Sequence, residues 1–125
     1  MLDTHVFIWA VSAPSRLDPQ TRAAVAAPDN QVFVSAVTAW EIAIKRALGR
    51  LKFPIDRFDD ILVRMGFDTL PILPAHAIAA GSLPRHHDDP FDRMLIAQAR
   101  VESLTLVSSD QAVGRYDVPV LGGVG

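Results

Sequence analysis

Four acids, Asp3, Glu41, Asp92 and Asp110, could do chemistry together because each falls where a structural element begins or ends. Asp3 follows a stub of apolar chain, and Asp110 follows the apolar run Leu104 to Val107. Asp92 falls in the first turn of a helix opening at Asp89-Pro90, and Glu41 in the second turn of a helix opening at Ser35. Parallel strands would deliver all four carboxylates to one rim of a sheet, outside the strands' carboxyl ends. Carboxylates so crowded raise one another's pKa unless a cation neutralises them. Oxygen ligands in a chain without cysteine favour Mg2+ or Mn2+ over zinc. Such an ion activates water and steadies charge on a phosphoryl oxygen, so the chemistry indicated is phosphodiester hydrolysis.

Each acid also has a purely structural reading. Asp3 can cap the helix after it, and Asp110 the segment at Gln111. Glu41 and Lys45 form an i, i+4 pair, worth a few tenths of a kcal/mol on a surface. Asp89 accepts from the start of its helix while Asp92 favours its positive end, so Asp89 is assigned to the cap alone. His86-His87-Asp88-Asp89 reads as loop polarity, because adjacent histidines rarely face one ion and no ligand pair stands at zinc spacing. His5, in an apolar stretch, reads as a satisfied, partly buried histidine.

The elements that must position these residues alternate. Val6 to Val11 reads as a short apolar helix, and Asp18-Pro19 opens another that stops at Pro28-Asp29-Asn30. Gln31 to Val34 is a β-branched and aromatic strand. The helix after Ser35 carries an apolar stripe at Trp40, Ala43, Ile44, Ala47, Leu48 and Leu51, with Gly49 as its stop. A helix over Ile55 to Met65, a strand over Thr69 to Leu73 and a short helix over Pro74 to Ala80 follow. The helix from Asp89-Pro90 then leads to strands at Leu104 to Val107 and Val118 to Leu121. Alternating strands and helices predict an α/β fold with a parallel sheet covered on both faces.

The 125 residues suit one domain, 1–125, and half of them are hydrophobic, which excludes disorder and suggests that a partner covers some apolar surface. Met1 to Val11 makes a poor signal peptide, and no run approaches the roughly 20 apolar residues that span a bilayer. With no cysteine, a cytoplasmic protein off the membrane is expected.

Leu2-Asp3-Thr4-His5, Val34-Ser35-Ala36 leading to Trp40-Glu41-Ile42, Asp89-Pro90-Phe91-Asp92-Arg93-Met94-Leu95-Ile96-Ala97-Gln98-Ala99, and Leu104-Thr105-Leu106-Val107-Ser108-Ser109-Asp110 resemble, in this order, the PIN domain. More closely, the chain looks like the VapC toxins of bacterial type II toxin–antitoxin pairs. The resemblance implies a three-layer α/β/α fold and an acidic pocket for Mg2+ or Mn2+, formed by Asp3, Asp92 and Asp110, with Glu41 acting directly or through water. It implies endonuclease action on single-stranded or structured RNA, often transfer RNA, with Thr4 and Ser109 supporting the acids and Arg93 positioning a phosphate. It also implies a homodimer silenced by a VapB-like antitoxin. Only Met1 and Leu2 precede Asp3, where that family usually has a few more residues, so either the start lies upstream or the first strand is curtailed. The net charge of −2 gives no global attraction for RNA, which leaves bound cations and clusters such as Lys45, Arg46, Arg50 and Lys52. The alternative function is an RNA- or protein-binding module on the same fold with little turnover.

Overall fold

A computed structural model describes residues 1–122. Its sheet is organised around the first three residues, which run through the centre. The Leu2 N–H donates to the Phe33 carbonyl (3.0 Å), the Asp3 N–H to Val107 (2.9 Å) and the Val107 N–H to Met1 (2.8 Å). Leu2 therefore bridges in parallel to Val34 on one side and Val107 on the other. Outside it, β1 (Phe33–Ser35) pairs parallel with β2 (Asp68–Leu70), with Val34 opposite Thr69. On the far side β3 (Leu106–Val107) pairs parallel with β4 (Val120–Leu121). Residues 1–3 thus form a seam between the two halves of the sheet, held by backbone bonds to both.

Side chains leave a strand alternately to its two faces, and the core divides accordingly. Leu2, Val34 and Val107 join a cluster with Val6, Phe7, Phe58, Ile61 and Leu62, which come from α1 (Thr4–Ser12) and α4 (Phe58–Met65). Phe7 centres an aromatic group there, with Phe58, Phe53 and Phe67 rings at 5.4, 5.7 and 6.4 Å. Met1 and Leu106 join a second cluster with Leu95, Ile96 and Ala99 of α6 (Pro90–Val101), onto which Ala79 and Ala80 of α5 (Pro74–Gly81) pack. The result is the expected α/β fold, helices on both faces of a parallel sheet.

Helix starts follow local capping arithmetic. The Asp3, Ser35 and Asp89 side chains accept from Val6, Val37 and Phe91 N–H groups at 2.8, 2.9 and 2.8 Å, opening α1, α3 (Ala36–Ala47) and α6. Asp18 accepts from Thr21 N–H and opens α2 (Pro19–Ala26), with proline at the first position as in α6. Gly66, at φ +74°, closes α4 in a left-handed turn.

Strands are shorter than the sequence suggests. The Leu104 N–H donates back to Ala99, which ties it to the exit of α6, and β3 begins at Leu106. The β1 pairing lies two residues beyond its expected start, with the Gln31 side chain bonded instead to Asp68. Ile55–Arg57 forms a 3-10 turn before α4. The larger correction concerns α3. Trp40 and Leu48 of the expected buried stripe are 54% and 61% exposed, and the face turned inward is Val37, Thr38, Glu41 and Ile42. No helix among the described residues is long and apolar enough to cross a membrane.

Candidate active site

The four acids reach the site from opposite sides of the central seam. Asp3 leaves the seam at its carboxyl end and is 6% exposed, with Oδ1 taking the Val6 N–H. Burial raises its pKa against the pull of a hydrogen bond from Ser108. Capping uses one oxygen of Asp3 and is therefore compatible with a further role for the other.

Glu41 lies on the inward face of α3, 2% exposed. Its Oε1 accepts from the Thr4 hydroxyl (2.7 Å), and its Oε2 from Lys45 Nζ (2.5 Å). Thr4 in turn contacts the Thr38 hydroxyl at 3.1 Å. A buried carboxylate needs such compensation, so Lys45 is a partner of a buried acid rather than half of a solvated pair.

Asp92 stands in the first turn of α6, its side chain 23% exposed. Burial and then the Asp89 carboxylate push its carboxyl up to about 6; His87 pulls it down, and Glu41 and Asp3 push it up. Asp92 thus feels the charges of Glu41, which follows β1, and of Asp3 at the central seam. Asp110 follows β3, caps the Ala112 N–H through Oδ1 (2.9 Å) and points Oδ2 at His87. Burial raises its pKa, but the Ala112 N–H and His87 outweigh it, and the carboxyl ends below its ordinary range.

His87 joins these last two acids, a role that loop polarity does not describe. Its Nε2 lies 2.9 Å from Asp92 Oδ2 and 2.9 Å from Asp110 Oδ2. The Asp89 N–H donates to its Nδ1 (3.1 Å), which leaves the proton of the neutral ring on Nε2, facing the carboxylates. Burial disfavours the imidazolium and the surrounding carboxylates favour it, for a net raised pKa. The Asp89 N–H opposes that shift, because protonated Nδ1 would meet a second donor. His86 diverges and packs edge-on against Tyr116.

The supporting residues differ from expectation in three places. Thr4 bonds Glu41, but Ser109 is exposed, and the buried hydroxyl bonded to Asp3 is that of Ser108, which also accepts from the Asp110 N–H. Strand parity separates the two serines, and it becomes readable only once the start of β3 is known. Arg93 directs its guanidinium at the carbonyls of Ala80, Leu83 and Pro84, at 2.9 to 3.0 Å, so it pins the loop before α6 instead of facing a phosphate. His5 is exposed on α1, close enough to Asp3 and Asp110 to lower both carboxyls.

The donor set fits a hard divalent cation. Ligand atoms of His87, Asp92 and Asp110 lie within 4.8 Å of one another. Burial and the neighbouring carboxylates disfavour the charged form of Asp92, a cost that such a cation would offset.

A comparison with curated proteins finds no match. PIN domains are generally metal-dependent nucleases. The PIN domain family model matches residues 1–119, and the chain belongs to that family.

Proposed function

We propose that this PIN domain is a Mg2+- or Mn2+-dependent endoribonuclease, the toxin of a VapBC-like pair, acting on transfer RNA or another structured RNA. The observation that carries the reading is the gathering of acids at one point: His87 Nε2 lies 2.9 Å from both Asp92 and Asp110, and Asp92, raised mainly by burial and by Asp89, also feels the charges of Glu41 and Asp3. Asp3, Asp92 and Asp110 would hold the cation, and Glu41, with both oxygens engaged by Thr4 and Lys45, would act through water. Bound there, the cation supplies Lewis acidity, neutralising the acids and lowering the pKa of water. His87 spans Asp92 and Asp110 and fixes their oxygens, as outer partners do for metal ligands. Ser108 orients Asp3, and Arg93 holds the loop that carries His87. No side chain needs to become covalently attached to the phosphate, because water is the nucleophile.

Exposed apolar Trp40 of α3, Leu48 at its C-terminal cap and Val63 of α4 supply surface for a homodimer or a VapB-like antitoxin in the cytoplasm. The chain would act as one domain over residues 1–125. The test is cleavage of a broad RNA pool with Mg2+ or Mn2+ by the antitoxin-free protein and by Asp3→Asn. Cleavage that needs the metal and is lost in the variant is expected. Equal activity of the two proteins removes Asp3 from catalysis, and absence of metal-dependent cleavage favours a binding module.

A further inference from the structure

Beside the carboxylates, the outward side of α1 forms a second feature. A cavity of about 140 Å³ is lined by Val6, Trp9, Arg16, Leu17, Ser108 and Ser109. Two of these tie it to the active site, since Ser108 bonds Asp3 and Ser109 precedes Asp110. Arg16 Cζ lies 5.2 Å from the Trp9 ring centroid, and the His5 ring lies on the same helix at 6.2 Å. Asp18 and Thr21 also reach the cavity but satisfy each other, through the Thr21 N–H (2.7 Å) and hydroxyl (2.9 Å). No carboxylate among the described residues pairs with Arg16.

From this geometry we infer that the Trp9–Arg16 cavity is a nucleobase subsite, receiving one unpaired base of the RNA strand adjacent to the phosphate held at the carboxylates. The inference rests on the nuclease reading of the neighbouring site. An indole and a guanidinium plane accept any base face, which is how single strands are held without sequence readout. The volume admits a single planar ring, and a base reaches it only when it is out of a duplex. Exposed Arg16 places positive charge locally in a chain whose net charge is −2.

Trp9 and Trp40 are the two tryptophans of the chain, so Trp40→Phe isolates the Trp9 signal. In Mg2+, a single-stranded phosphorothioate RNA should quench Trp9 fluorescence, while the same sequence as a blunt duplex should not. Base stacking of ~1–3 kcal/mol predicts a Kd about 5- to 150-fold weaker in Trp9→Leu, with Trp9→Phe much closer to the parent. Leu and Phe both keep apolar bulk against the core, and a thermal melt verifies folding. RNA binding seen by anisotropy with a silent Trp9, equal affinity of Trp9→Leu and parent, quenching by duplex equal to that by single strand, or no RNA binding each overturns the subsite. Metal-dependent hydrolysis of bis(p-nitrophenyl) phosphate, which has no base, reads the catalytic site separately. If that hydrolysis is absent while Trp9 is quenched, the nuclease reading fails and the base site stands.

Discussion

Asp92→Asn should make the metal-free protein more stable at neutral pH while removing its response to metal. The Asp92 carboxyl is raised from 3.8 to about 6 by burial and by Asp89, Glu41 and Asp3. Roughly two pKa units correspond to about 3 kcal/mol of preference for the neutral form. The side chain is 23% exposed, and solvent screening brings this to about 1.5 kcal/mol. Asparagine keeps an oxygen for the His87 Nε2–H but loses the favourable charge at the start of α6, about 0.5 kcal/mol. The net gain of about 1 kcal/mol is a Tm rise of roughly 3–5 °C for a domain of this size. The sign follows from linkage: a carboxyl whose folded pKa is raised contributes stability that is full below about 3.8 and lost as pH rises through about 6. The advantage of the variant should therefore be absent near pH 4 and complete above about pH 7. Mn2+ at a hundred times its Kd stabilises the native protein by about 2.7 kcal/mol, and the variant should show little of that shift. Thermal melts from pH 4 to 8, in EDTA and in Mn2+, measure all of this. A variant less stable than the parent in EDTA at pH 7.5, or one with an undiminished Mn2+ shift, would refute the account of an uncompensated acidic site.

Other residues give separable outcomes. His87→Ala frees Asp92 and Asp110 from their common partner and should weaken Mn2+ binding by about 10- to 100-fold in calorimetry; tighter binding would show that the imidazole competes with the ion. Ser108→Ala strips a hydrogen bond from buried Asp3 and should lower stability by about 1 kcal/mol and reduce RNA cleavage, while Ser109→Ala should leave the Tm unchanged within error. Arg93→Lys cannot reproduce a fork spread over three carbonyls and should cost about 1–3 kcal/mol in denaturant unfolding, with increased proteolysis between Leu83 and Asp89.

What was legible in the sequence was mostly local. The caps at Asp3, Asp18, Ser35 and Asp89 depend on residues three apart or fewer, and the structure forms all four. The parallel α/β class follows from alternation of elements and needs no side-chain detail. The inward face of α3 was not legible because two stripes overlap on one helix. The apolar one, through Trp40 and Leu48, obeys helical periodicity, yet the buried one carries Thr38 and Glu41, whose polarity is met by Thr4 and Lys45. Tertiary hydrogen bonding decided which face turned inward, and no residue count within α3 contains it. His87 was missed for a related reason: a loop histidine becomes informative only when a distant acid, here Asp110, is brought to its ring. Arg93 was misread because its acceptors are backbone carbonyls, which carry no signature in the sequence.

The position of the site relative to the seam has a mechanical consequence. Glu41 follows β1, on one half of the sheet, whereas Asp92 precedes β3 and Asp110 follows it, on the other. Asp3 belongs to neither half and is held by the Asp3 N–H to Val107 and the Leu2 N–H to Phe33. A cation engaging Asp3 and Asp92, with Glu41 behind them, would cross-link the halves at a point where the sheet itself offers a few backbone bonds. Binding energy for the metal is then also binding energy for the sheet, since an ion that prefers the native arrangement stabilises it by mass action. Asp3 and Asp92 are raised first by burial, and the carboxylate repulsion that adds to it acts in the opposite sense, pushing the same elements apart. The acids proposed to hold the metal would thus also make the central seam depend on it, and hydrogen exchange at the Leu2, Asp3 and Val107 amides should slow together when Mg2+ is added.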